Sequence, residues 1–87
     1  MATRASIETL IANCEDALRF ASDQYQESSL QEHYNGENYT QALQQLESAY
    51  NELAKMAQSA NGQQREQLHR MRLQLQQAQN QMMLHDH

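Results

Sequence analysis

The chain has no proline, no tryptophan and no valine, with one cysteine, one phenylalanine and only two glycines. Two isolated glycines cannot build a loop that cradles phosphates. A lone cysteine, Cys14, excludes an intrachain disulfide and fits a reducing cytosol. Long apolar runs are also missing: nothing approaches the roughly 20 residues that a membrane-spanning helix needs. Near the start, Glu8, Glu15 and Asp16 interrupt any targeting-type apolar core. A cytoplasmic location is the expectation.

Positive charge is scarce too. The net charge is −5, and residues 1–60 carry nine acids against three bases. Residues 61–87 are close to balanced, with three bases and two acids. An acidic N-terminal portion repels phosphate backbones and anionic membranes, so nucleic acid is disfavoured and no membrane partner is expected. The 87 residues make a single domain, 1–87. Much of the 39% hydrophobic content is alanine. Burial of about 1.5–3 kcal/mol per large side chain must oppose about 1–2 kcal/mol of backbone entropy per residue. The core is therefore thin, and a homodimer that extends it is an open option.

What is present is helical periodicity. Gly36 and Gly62 each follow an asparagine, and these two Asn-Gly pairs divide the chain into three segments. In the first, Ile7, Ile11, Cys14, Leu18, Ala21 and Tyr25 recur at alternating steps of four and three, with Leu10 and Ala17 widening the stripe. Ser6 is the expected N-cap, with Glu8 near the positive helix end. The second stripe is Tyr39, Leu43, Leu46, Tyr50, Leu53, Ala57 and Ala60, capped by Asn38 with Gln41 three residues on. The third is Leu68, Met71, Leu75, Ala78 and Met82, one residue out of register with the second. That slip at Asn61-Gly62 favours a turn over one continuous helix. The pattern predicts helices over about 6–31, 39–60 and 63–84 with a frayed end at 85–87, forming an all-α, up-down-up three-helix bundle with coiled-coil-like packing. The alternative is a helical hairpin with one long second helix that dimerises.

Candidate chemistry is sparse. His85, Asp86 and His87 are metal-type donors, but a chain end lacks the ordered support that a zinc site needs. Cys14 lies on an apolar stripe and reads as a small core residue. The carboxylates are spaced as helix surface, not as an acid/base pair. No catalytic, cofactor-binding or metal residue is assigned, and no cofactor is expected. The stretch at 63–83 holds three arginines and eight glutamines. Arg65, Arg70 and Arg72 without interleaved aromatics make a weak case for nucleic-acid binding, and a solvated helix face is the better reading. Arg65 and Arg72 lie on the flank that matches Glu8 and Glu15 of the first helix, which would let them meet across an antiparallel dimer. Tyr34 and Tyr39 bracket the first turn, where they either plug the bundle end or present an aromatic patch to a partner.

The stretches "RASIETLIANC", "SLQEHYNGENY" and above all "QQREQLHRMRLQLQ" resemble the YtzC-like family of small, uncharacterised proteins from Bacillus-type spore-forming bacteria. The resemblance implies a small helical cytosolic protein and transfers no catalytic or binding residue. No residue carries a sporulation signal. A second comparison is with the WXG family of secreted helical hairpins. Tyr34-Asn35-Gly36 stands where that family has Trp-x-Gly, but the tryptophan and the C-terminal secretion motif are absent. The expectation is a non-enzymatic protein–protein interaction module with Tyr34, Tyr39, Arg65, Arg70 and Arg72 as candidate surface. The alternatives are a weak nucleic-acid binder and a WXG-like secreted adaptor.

Overall fold

The computed structural model describes residues 2–30 and 36–84, without the side chains of residues 29 and 30. Three helices account for nearly all of it: α1 (Arg4–Leu30), α2 (Gly36–Ala57) and α3 (Gly62–Leu84). There is no strand among the described residues. All three helix pairs touch, α1–α2 and α2–α3 more extensively than α1–α3. The result is an all-α three-helix bundle measuring 46 × 20 × 14 Å.

α1 and α3 each start where a side chain satisfies free backbone N–H groups. At α1 the cap is Thr3 rather than Ser6. The Ser6 amide donates to Thr3 Oγ1 at 3.0 Å, and the Thr3 amide donates to Ser6 Oγ at 3.1 Å. This reciprocal pair is a capping box with serine in the role usually taken by Glu or Gln. Arg4, unfavourable beside the positive helix end, is offset by Glu8 at 3.1 Å. Asn38 is not a cap, because α2 already runs from Gly36. Glu37 in the first turn of α2 and Lys55 in its last both oppose the helix dipole.

The turn between α2 and α3 is short, so the single long second helix is excluded. Amides of Gln58, Ser59 and Ala60 donate to the carbonyls of Lys55, Met56 and Ala57 at 3.2, 3.1 and 3.4 Å, which winds the chain tightly out of α2. Asn61 then caps α3 with a complete box. The Gln64 amide donates to Asn61 Oδ1 at 2.9 Å, and the Asn61 amide donates to Gln64 Oε1 at 3.0 Å. Ala60 is buried and plugs the turn into the core.

Two long-range hydrogen bonds set the directions. The Ala2 amide donates to the Ser59 carbonyl at 3.1 Å, joining the start of α1 to the end of α2. The Tyr39 hydroxyl donates to the Met82 carbonyl at 2.7 Å, joining the start of α2 to the end of α3. The topology is up-down-up. The core seam of α3 is Leu68, Met71, Leu75 and Met82, and that of α2 is Tyr39, Ala42, Leu46 and Leu53. On α1 the seam is Ile7, Leu10, Cys14, Ala17 and Ala21, continued by the buried polar residues Gln24 and Ser28. Ile11, Leu18 and Tyr25, expected at its centre, lie one column to the side and are only half-buried.

Candidate functional site

The candidate side chains do not converge on one surface. Tyr34 lies outside the described residues, as do His33, His85, Asp86 and His87. Tyr39 is buried at 5% exposure, with its hydroxyl on the Met82 carbonyl. Met82 is in the last turn of α3, where carbonyls have no partner within the helix. Tyr39 is thus a core plug at this end of the bundle, and the aromatic patch is corrected to that extent.

The three arginines separate in the same way. Arg65 Nε donates to the Ala57 carbonyl at 3.0 Å, placing a cation on the negative end of α2. Arg72 Nη2 donates to the Tyr50 hydroxyl at 3.0 Å, and its Cζ stands 4.9 Å from the centre of the Tyr50 ring. Such cation–ring contacts contribute about 0.5–1 kcal/mol at exposed sites and more when water is excluded. The Nε of Arg72 is buried and finds no acceptor among the described residues. Arg65 and Arg72 therefore hold α3 against α2. Arg70 points elsewhere, exposed and 3.7 Å from Glu66 four residues earlier. Two positions from Arg72 is about 200° around a helix, so the three bases form no strip. Arg65 and Arg72, expected to match Glu8 and Glu15 across an antiparallel dimer, each make a contact with α2 within the chain.

Cys14 is fully buried. Burial, reinforced by the nearby charges of Glu52 and Glu15, pushes its thiol up from 9.0 to about 11. At neutral pH it is a protonated, apolar filler, not a thiolate nucleophile. Among the described residues, no three His, Cys, Asp or Glu side chains gather to hold a metal ion. No described helix is long and apolar enough to cross a membrane.

What remains open is the face between α1 and α3. Ile11 sits in a depression with Gln63, Gln67, Arg70, Met71 and Gln74. Further along, Leu18 and Tyr25 line a second depression with Ala78, Gln81 and Met82. The half-buried column Ile11, Leu18 and Tyr25 thus runs along one wall of a groove whose other wall alternates glutamines with Met71, Ala78 and Met82. These three residues were visible in the sequence as apolar, but periodicity placed them in the core. Their heptad spacing marks a column beside the seam as readily as the seam itself.

Fold and groove together define a small all-helical bundle with a half-buried apolar column along one groove. Residues 1–84 match the family described as protein of unknown function (DUF2524), and the chain belongs to that family. It is 51% identical over 84 residues to the uncharacterized protein YtzC of Bacillus subtilis (strain 168), spanning 97% of this chain and 93% of that protein. The resemblance read from the sequence is thereby confirmed. No solved structure matches the chain.

Proposed function

We propose that the chain is a non-catalytic interaction module that works by docking another protein onto the groove between α1 and α3. The observation that carries this reading is the half-buried column Ile11, Leu18 and Tyr25, which lines a groove whose α3 wall carries exposed Gln67, Gln74 and Gln81 beside Met71, Ala78 and Met82. Apolar side chains lined up at helical spacing along a groove suit a partner helix laid into it. A buried thiol held protonated and arginines tied to α2 supply no competing chemistry. The test is capture from native extract on immobilised chain, with Leu18→Glu as the groove variant and helicity checked by circular dichroism. A protein retained by the native chain and lost with Leu18→Glu supports the proposal. Equal retention on both, or none on either together with a native chain that is monomeric, overturns it. A parallel salt titration against DNA and RNA tests the nucleic-acid alternative, whose signature is binding at low salt that falls steeply as salt rises.

A further inference from the structure

The groove has two rims of opposite charge. On α1, Glu8 and Glu15 flank Ile11 on the side away from the core, one helical turn before it and one after. On α3, Arg70 lines the groove at the level of Ile11 and is followed at heptad spacing by Gln77 and Leu84. Glu15 is exposed and in no ion pair among the described residues, while Glu8 and Arg70 have side chains 62% and 71% exposed. The in-chain pairs that Glu8 makes with Arg4 and Arg70 with Glu66 are therefore weak and exchangeable.

Resting on the interaction reading above, we propose that the occupant of this groove is a second copy of the chain, docked in parallel about a twofold axis running along the helices. Two copies can meet groove to groove in two symmetric ways. An axis across the helices sets α1 against α1 and α3 against α3 in opposite directions, so Glu8 and Glu15 never come opposite Arg70 of the other copy. An axis along the helices sets α1 of each copy against α3 of the other. Arg70 of the second copy then enters between Glu8 and Glu15, and the reciprocal contact forms by symmetry. Charge selects the second arrangement.

The far end of the groove agrees. Gln81 and Met82 stand level with Tyr25 and Gln26. Leu84, 83% exposed on the α3 rim, is thereby brought over Tyr25 of the other copy. An apolar contact closes one end and a charged one the other. The size is sufficient: a face 46 Å long and two helices, about 20 Å, wide offers roughly 900 Å² per copy, against about 800 Å² per partner in a standard interface.

Light scattering across a concentration series is the test, with each variant's helicity verified. The native chain is expected at twice its 10.1 kDa mass. Arg70→Glu alone, and Glu8→Arg with Glu15→Arg, are each expected to weaken self-association about tenfold or more by placing like charges opposite one another. Combining all three substitutions restores opposite charges and is expected to restore the dimer. A monomeric native chain, a dimer indifferent to both reversals, or a combined variant that stays dissociated overturns the inference. The two proposals fail separately. A monomer that still retains an extract protein sensitive to Leu18→Glu refutes the second copy and leaves the interaction reading standing.

Discussion

Removing one oxygen atom tests how the bundle's end is closed. Tyr39→Phe keeps the ring and deletes the hydroxyl that donates to the Met82 carbonyl at 2.7 Å. A neutral hydrogen bond of this kind contributes about 0.5–1.5 kcal/mol net, and a carbonyl left unsatisfied away from water raises the cost toward 1–3 kcal/mol. Tyr39 is only 5% exposed, so a loss of about 1–2 kcal/mol is expected. For a domain of this size each kcal/mol corresponds to roughly 4–8 °C in Tm. Urea denaturation followed by circular dichroism is the assay, and the midpoint should fall without a change in slope. Tyr50→Phe is the internal control. Its hydroxyl accepts from Arg72 at a half-buried position, and the cation keeps its contact with the ring face. That variant should lose less than about 1 kcal/mol. Equal losses for the two, or no loss for Tyr39→Phe, would show that water reaches the Met82 carbonyl and that this end is not sealed.

Three further outcomes follow from the helix ends and the core. A Cβ added at Gly62 meets nothing within 4 Å, and the residue is already helical, so Gly62→Ala should stabilise by about 0.4–1 kcal/mol in the same denaturation assay. Asn61→Ala removes the acceptor for the Gln64 amide and should destabilise by about 0.5–2 kcal/mol, visible as a lower Tm. Cys14 titrates at about 11 in the folded chain against 9.0 ordinarily. The unfolded chain releases this proton first, so its contribution is complete below pH 9 and is lost as pH rises through 11. Relative to a Cys14→Ala chain, the native chain should lose about 2–3 kcal/mol over that interval.

The sequence showed α3 most clearly. Long aliphatic side chains on a background of glutamine leave one choice of column, and Leu68, Met71, Leu75 and Met82 are the residues buried. Caps were harder to read. Asn61 with Gln64 is a complete capping box, but the Asn-Gly pair drew attention as a turn, and the asparagine performs both tasks. Thr3 escaped notice because its box is closed by Ser6, a residue that itself reads as a cap. The engagement of Arg65 and Arg72 with α2 could not be anticipated, since it depends on which flank of α3 faces α2.

The largest ambiguity was on α1, and it has a physical cause. Ile7, Leu10 and Ile11, then Ala17, Leu18 and Ala21, supply two adjacent columns that both satisfy the helical period. A single stripe drawn through them ran along Ile11, Leu18 and Tyr25, whereas the fold buries the column of Leu10, Ala17 and Gln24 more deeply. The small side chains of Ala17, Ala21 and Ala42 line that seam, and small residues let helices approach closely. Ile11, Leu18 and Tyr25 lie one column to the side. That position turns those residues toward α3, which meets them with Gln67, Gln74 and Gln81 beside Met71, Ala78 and Met82. A chain with so few large apolar residues leaves three of them along a groove its own helices do not fill. That mismatch between apolar supply on α1 and apolar demand on α3 is what a fourth helix, from whichever protein, would resolve.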